Sequence, residues 1–132
     1  MKYREGYKYQ MAEDHIDMTG IIPPAPIATH FISLSMDGEI FIKSDYAWDG
    51  CSGPTLDDET NMTAGLEHDA LYQLMREGHL PHEYKKAADM RLYELCLKNG
   101  MNSVRAWIYY RGVRGFGESS TLPRLNEVKE AP

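Results

Sequence analysis

A histidine, a tyrosine and two acidic residues have the types and spacing that a general-base site requires. His68 and Tyr72 are four positions apart, so in a helix they share one face, about 6 Å apart along the axis. Asp69 projects roughly 100° around the same helix. Asp89 follows in the next predicted helix. A histidine that faces a carboxylate is held in one tautomer and can accept a proton from water. The pattern therefore predicts a site built on His68, Tyr72 and Asp89.

The link between the two predicted helices decides whether His68 and Asp89 can meet. That link is only Gly78-His79-Leu80, which predicts antiparallel neighbouring helices. Counted from its middle, His68 and Asp89 differ by about two positions, or ~3 Å of helix rise. We therefore expect the imidazole and the carboxylate to lie at one level of the helix pair.

Ordinary structural roles would also explain these residues. The histidine could be a satisfied structural residue, and Asp69 could be a solvated surface group. Asp89 could pair with Lys85 or Arg91 on its own helix, and Tyr72 could pack in the core. The convergence of acids and a possible base on two facing helices favours a functional site.

Helical periodicity and stop signals in the second half of the chain predict three helices. Two glycines and a proline exclude a helix from the preceding segment, 45–58, which we interpret as an ordered loop. The predicted helices run from about Glu59 to Glu77, from Pro81 to before Gly100, and from after Asn102 or Ser103 as cap to about Gly115. The candidate caps of the first helix are Asp57, Asp58 and Thr60.

The first half predicts a small antiparallel β unit. Two β-like runs, Ile27 to Met36 and Glu39 to Lys43, flank Asp37-Gly38, a dipeptide typical of hairpin turns. Residues 1–26 mix aromatic and charged side chains and end in a proline cluster that should run extended. The expected fold class is α+β, in one domain over 1–118: a β unit over 1–44, the loop over 45–58 and helices over 59–116. A polar surface tail follows over 119–132.

Composition excludes several classes of protein. A chain of 132 residues fits one domain with its own core, and a net charge of −6 disfavours a nucleic-acid binder. There is no apolar run of the ~18–20 residues that a membrane span needs, so no transmembrane segment is expected. The first residues, from Met1 to Gly6, lack the apolar stretch of a secretory signal. We therefore expect a cytoplasmic location in the producing cell and two reduced thiols, Cys51 and Cys96.

Basic charge is concentrated near the end of the predicted helical region. Between Lys98 and Gly117 there are four basic residues and no acidic one, so the remainder carries −10 when these +4 are removed from the total of −6. Such a stripe could touch an anionic surface, or it could be a solvated face balanced by acidic neighbours. The four residues are Lys98, Arg105, Arg111 and Arg114.

Together these motifs resemble a known signature. Asp49-Gly50-Cys51-Ser52, then His68-Asp69-x-x-Tyr72, then Asp89 resemble the calcium loop and helix pair of prokaryotic secreted phospholipase A2 enzymes. They are more similar still to a small family of uncharacterised phage and prophage proteins. That family has Asp-Gly-x-Ser, Leu-His-Asp-x-Leu-Tyr, Ala-Asp on the next helix, and an arginine-rich third helix with aromatic residues. The resemblance covers about residues 45–116.

The resemblance implies a catalytic dyad. His68 would deprotonate a water that attacks an ester carbonyl, Asp89 would orient the imidazole, and Tyr72 would support Asp89. These roles agree with the general-base chemistry that the residue spacing indicates.

The resemblance also implies a calcium site. Asp49 and Asp69, with loop carbonyls near Gly50, would hold Ca²⁺, which takes hard oxygen ligands and would stabilise the oxyanion. The chain departs from the secreted enzymes at Gly65, where they carry the cysteine that pairs with the cysteine of the loop. Cys51 therefore lacks that partner.

Two functions from different classes remain open. One is Ca²⁺-dependent hydrolysis of a phospholipid or other ester during phage entry or lysis. The other is a non-catalytic virion or tail accessory protein that joins other virion proteins and uses the polar cluster to hold its helices together. A lesser alternative is a Cys/His cell-wall hydrolase, because Cys51 lies in Asp-Gly-Cys-Ser-Gly. Those enzymes place their histidine on a later strand, whereas the chain after Cys51 is predicted to be helical.

Overall fold

The structure is a computed structural model that describes residues 3–4, 9–48, 60–116 and 121. It confirms the α+β class and contains two small antiparallel sheets and three α-helices. The strands are β1 (Tyr3–Arg4), β2 (Tyr9–Met11), β3 (His15–Met18), β4 (Ile27–Ala28), β5 (Ile32–Leu34), β6 (Glu39–Ile42) and β7 (Ala47–Trp48). The helices are α1 (Met62–Arg76), a short 3-10 helix (His82–Tyr84), α2 (Lys85–Lys98) and α3 (Ser103–Arg114).

The β region is larger than the sequence predicted. Strands β1, β2 and β7 form one sheet in that order, and β3, β6, β5 and β4 form the other, with every pair antiparallel. The predicted β-like run from Ile27 to Met36 contains two strands, because a turn divides it into β4 and β5. Thr29 closes this turn, since its hydroxyl donates to the Ile32 carbonyl at 2.8 Å and accepts from the Ile32 amide at 3.0 Å.

The turn between β5 and β6 requires a glycine. Gly38 has φ +90°, a conformation that residues with a Cβ rarely adopt. A Cβ there would also lie 3.3 Å from the Gly20 amide nitrogen and the Ile21 carbonyl oxygen. Strands β5 and β6 accordingly pair antiparallel, with Leu34 opposite Ile40.

Two helix starts differ from the prediction. Helix α1 begins at Met62 rather than at Glu59, with Asn61 at the N-cap position. The Asn61 amide donates to the Tyr109 hydroxyl of α3 at 2.8 Å and makes no side-chain capping hydrogen bond to α1. The second helical segment begins as the 3-10 turn at His82, because Pro81 still has extended backbone, with ψ 143°.

The third predicted helix is close to the observed one. Asn102 caps α3, and its side chain accepts from the amides of Val104 and Arg105 at 2.8 and 3.3 Å. Thr121, in the predicted tail, is buried, and its hydroxyl lies 2.5 Å from Nδ1 of His82.

The buried apolar side chains form two clusters. The larger joins the inner faces of the sheets to α1 and includes Trp48, which is 3% exposed. The smaller lies mainly between α2 and α3 and includes the fully buried Cys96. Trp107, on α3, is 47% exposed, and its ring contacts the rings of Tyr93 and Tyr110. Within the described part of the chain, no helix is both long and apolar enough to cross a membrane.

Candidate functional site

Helices α1 and α2 pack side by side in opposite directions. Glu67, in the first half of α1, contacts Arg91 at the middle of α2, with Arg91 Nε 3.1 Å from Glu67 Oε1. Tyr72, further along α1, lies against Lys85 at the start of α2, with Nζ 5.8 Å from the ring centroid. Ala88 is fully buried between them, where a small side chain permits close approach. This arrangement brings His68 and Asp89 to one level.

Asp89 is fully buried and accepts hydrogen bonds on both oxygens. Its Oδ1 lies 2.7 Å from His68 Nε2, and the Tyr72 hydroxyl donates to the same oxygen at 2.5 Å. Its Oδ2 accepts from Lys85 Nζ at 3.1 Å and from Arg114 at 2.8 Å. Three helices thus contribute four donors to one carboxylate. We call these five residues the Asp89 cluster.

The electrostatic environment keeps Asp89 ionised. Burial alone would raise the pKa of its carboxyl, but the hydrogen bonds from His68 and Tyr72 and the nearby Lys85 outweigh it, so the pKa lies below its ordinary value. The pKa of Tyr72 is raised well above the usual range by burial and by the adjacent carboxylate. Tyr72 therefore remains a hydrogen-bond donor at any ordinary pH.

His68 is held as a neutral imidazole. Its side chain is almost completely buried, and burial lowers its pKa even though the Asp89 carboxylate opposes that shift. Because an ionised Asp89 can only accept, Nε2 carries the proton and Nδ1 keeps its lone pair. Among the residues that the structure describes, none hydrogen-bonds Nδ1 of His68. A neutral imidazole in this tautomer has the form that accepts a proton from water.

Only part of the predicted calcium site lies among the described residues. Asp69 is partly exposed on α1, and its charge acts on Tyr72, so it lies beside the Asp89 cluster. Asp49, Gly50 and Cys51 lie outside the described residues.

The basic stripe has several internal contacts. Arg114 binds Asp89, and Arg105 donates to the Tyr109 hydroxyl at 3.2 Å. The Arg111 guanidinium lies 6.0 Å from the centroid of the Trp107 ring. Arg114 was among the residues expected to form a solvated or anion-binding face, but its charge instead neutralises a buried acid.

A second buried polar cluster was not predicted. Glu67 precedes His68 on α1 and is fully buried, with Oε2 2.8 Å from His15 Nε2 on β3. Arg91 donates to Oε1 of Glu67 at 3.1 Å and to Oδ2 of Asp17 at 2.8 Å. We call His15, Asp17, Glu67 and Arg91 the Glu67 cluster. Lys85 and Arg91 were the two partners that the sequence offered for Asp89 on its own helix. Lys85 does bind Asp89, whereas the described hydrogen bonds of Arg91 are with Glu67 and Asp17.

Strand β3 positions the Glu67 cluster by an inverted pattern. His15 and Asp17 pair in register with the buried Ile42 and Ile40 of β6, so their side chains share the inner face of the sheet. The apolar side chains between them, Ile16 and Met18, point outwards and are exposed. Alternation of apolar and polar residues normally predicts that the apolar side chains, here Ile16 and Met18, face inwards and the polar ones face solvent. The only other sequence feature that could have indicated this cluster was Glu67, an acidic residue on a buried face of α1.

The two acids of the Glu67 cluster have opposite pKa shifts. Burial raises the pKa of Glu67, and the neighbouring Asp17 adds to the shift, although the hydrogen bond with His15 opposes it. For Asp17, burial is outweighed by its hydrogen bond with Glu67 and by the Arg91 charge, so its pKa is lowered. His15, Asp17 and Glu67 also offer ligand atoms that all lie within 4.8 Å of one another, so this group could hold a metal ion.

Comparisons with known protein families, with curated proteins and with solved structures gave no match to this chain.

Proposed function

We propose that this chain is a hydrolase of phospholipid or other ester bonds in which His68 is the general base. One observation carries the proposal: His68 Nε2 lies 2.7 Å from the buried Asp89 carboxylate, which leaves a neutral imidazole with its lone pair on Nδ1. Deprotonation of water by a positioned histidine is worth about 10²–10⁴-fold in rate. The resemblance to phage proteins and to phospholipase A2 enzymes favours a role in phage entry or lysis.

In the proposed reaction, Nδ1 of His68 removes a proton from a water molecule while the water oxygen attacks the ester carbonyl carbon. The same proton then passes to the leaving alkoxide oxygen, so the acid and the alcohol are released and His68 returns to its neutral form. Asp89 would stabilise the transient imidazolium, and Tyr72 would position Asp89 through its 2.5 Å hydrogen bond.

Calcium fits the donor chemistry that the sequence supplies. Asp69 and Asp49, with carbonyl oxygens near Gly50, would hold Ca²⁺, and the ion would supply positive charge for the developing oxyanion. Asp69 is the described member of this set, and its partial exposure beside the Asp89 cluster is compatible with that role.

A direct assay tests the proposal. The purified chain is mixed with phosphatidylglycerol vesicles and millimolar Ca²⁺, and released fatty acid is measured. We expect turnover that a chelator abolishes and that His68→Ala lowers by about 10²–10⁴-fold. His79→Ala removes an imidazole from the exposed link after α1 and is the matched control. Turnover by His68→Ala equal to that of the unmodified chain would contradict the assignment of the base.

One observation favours a second candidate, a non-catalytic virion or tail accessory protein. Asp89 receives four donors, two of them cationic, so the cluster is complete as a connection among three helices without any substrate. This candidate predicts no turnover of phosphatidylglycerol vesicles or of a small ester by the unmodified chain. The same assay therefore separates the two functions.

A further inference from the structure

The Glu67 cluster combines an imidazole and two carboxylates from two separate elements. We propose that His15, Asp17 and Glu67 form a binding site for one divalent transition-metal ion of the Zn²⁺ or Mn²⁺ type. This site is independent of the proposed calcium loop and of the Asp89 cluster, and it does not rest on the proposed hydrolase function.

The geometry of the cluster suits such an ion. His15 Nε2 and Glu67 Oε2 are 2.8 Å apart, and ligand atoms bound at about 2.0–2.1 Å to one small cation lie roughly 3 Å from each other. The ligand atoms of all three residues lie within 4.8 Å of one another, so small side-chain rotations would bring them around one centre. The site therefore needs no rearrangement of β3 or α1.

Arg91 and one backbone amide orient the two carboxylates. Arg91 binds Oε1 of Glu67 and Oδ2 of Asp17, and the Met18 amide donates to Oδ1 of Asp17 at 2.9 Å. Oε2 of Glu67 faces the His15 imidazole. Partners that hold the other oxygen of a ligating carboxylate are typical of metal sites in proteins. When Asp17 and Glu67 are both ionised, the two carboxylates and the Arg91 guanidinium sum to −1, and this charge favours a cation.

The ligand set selects the class of ion. One imidazole nitrogen with two carboxylate oxygens suits zinc, manganese or iron(II), whereas calcium prefers six to eight oxygen ligands and copper(I) prefers sulfur. Glu67 forms the buried floor of the site, while the Asp17 side chain is 26% exposed and that of His15 is 12% exposed. The exposed edge of Asp17 gives an ion a route from solvent.

Isothermal titration of the metal-free full chain with Zn²⁺, and separately with Mn²⁺, tests the site. We expect one high-affinity ion per chain and an increase in melting temperature that grows with ion concentration, because an ion that binds only the folded chain stabilises it. His15→Ala and Asp17→Asn should each weaken binding at least tenfold. His79→Ala, which removes an imidazole outside the cluster, should leave affinity unchanged, and circular dichroism verifies that each variant is folded.

Two further variants separate this site from the other possible metal ligands. Asp69→Asn removes a proposed calcium ligand, and Cys51→Ser removes a thiol that could bind zinc; both should keep the Mn²⁺ affinity of the unmodified chain. If His15→Ala does not fold, His15→Gln replaces it.

The proposal is overturned if the unmodified chain binds neither ion, or if His15→Ala and Asp17→Asn bind as tightly as the unmodified chain. It is also overturned if Asp69→Asn or Cys51→Ser, rather than the His15 variant, abolishes binding. Absence of ester hydrolysis leaves these measurements unchanged, so failure of the hydrolase proposal would be distinguishable.

Discussion

The Asp89 and Glu67 clusters differ in charge although both are built around a fully buried carboxyl group. Asp89 has four donors, and two of them are the cations of Lys85 and Arg114. Glu67 has a histidine, one guanidinium and a second acid, Asp17, as neighbours. Burial by itself would raise the pKa of either acid. The net shift is nevertheless downward for Asp89 and upward for Glu67. The partners, rather than the depth of burial, therefore decide the direction in which each pKa is shifted.

The difference in charge bears on both proposals. In the Asp89 cluster, Lys85 and Arg114 outweigh the single carboxylate, so these three groups sum to +1, and the carboxylate holds His68 in one tautomer. In the Glu67 cluster, one guanidinium faces two acids, and the proposed cation site rests on this charge balance. These two properties lie on consecutive residues of α1, Glu67 and His68, which project about 100° apart around the helix.

The largest expected effect is on the Asp89 cluster. Asp89→Asn keeps the shape of the side chain but leaves Lys85 and Arg114 without their buried counter-charge. We expect a loss of about 3–5 kcal/mol in the free energy of unfolding, as for other broken buried ion pairs. Urea denaturation measures it, and Asp69→Asn on the partly exposed side of α1 is the control. A loss below about 1 kcal/mol would show that the cluster does not depend on this charge.

The hydroxyl of Tyr72 should have the next largest effect. Tyr72→Phe removes one of four donors to a charged group, which is worth about 1.5–3 kcal/mol, and the remaining three donors should keep the loss near the lower value. Tyr84→Phe is a matched control, because the Tyr84 hydroxyl donates to the neutral carbonyl of Ile22 on the surface. Equal losses for both variants would argue against a charged acceptor at Asp89.

Glu67→Gln should cost less than Asp89→Asn at neutral pH. The raised pKa of Glu67 means that ionising this acid costs more in the folded chain than in water, so a neutral amide of the same shape removes that cost together with a favourable bond to Arg91. We expect a change within about 1 kcal/mol in metal-free buffer. Denaturation of both variants under identical conditions gives the comparison, and a loss as large as that of Asp89→Asn would contradict it.

The two acids should also give opposite pH dependence. The folded pKa of Asp89 lies below the ordinary 3.8, so its stabilisation is present above that pH and is lost as acid protonates it in the folded protein. The folded pKa of Glu67 lies above the ordinary 4.5, so its contribution is present below that pH and is lost as the pH rises through the folded value.

Melting temperatures from acid to neutral pH, measured with a chelator, test these signs. The advantage of the unmodified chain over Asp89→Asn should shrink as the pH falls. Its advantage over Glu67→Gln should shrink as the pH rises. If both differences change in the same direction, the contrast between the clusters is wrong.

Local signals predicted the helical half well and the β half poorly. The short link from Gly78 to Leu80 and the helical spacing of His68 and Tyr72 were enough to expect the observed contact with Asp89. Asn102 was a suitable cap because capping is local. At the start of α1, the contact of Asn61 with Tyr109, 48 residues away, was not predicted, because such tertiary contacts leave no local pattern.

The Glu67 cluster was missed for a similar reason. His15 and Glu67 are 52 residues apart, and only the pairing of β3 with β6 determines which face of the strand turns inwards. The outward Ile16 and Met18 favour the wrong orientation when β3 is considered alone. Sequence spacing therefore predicted the contacts between two adjacent helices and not the cluster between a strand and a helix.

The protein has one tryptophan beside the sheets and one on the last helix, so tryptophan fluorescence can follow the two regions separately. Trp48, enclosed beside the sheets, should fluoresce at short wavelength and resist quenching by iodide, whereas Trp107, half in contact with water on α3, should emit further to the red and be quenched readily. Replacing either one with phenylalanine isolates the other signal. Denaturation followed by these two variants would then show whether the strands and the last helix come apart together or in separate steps.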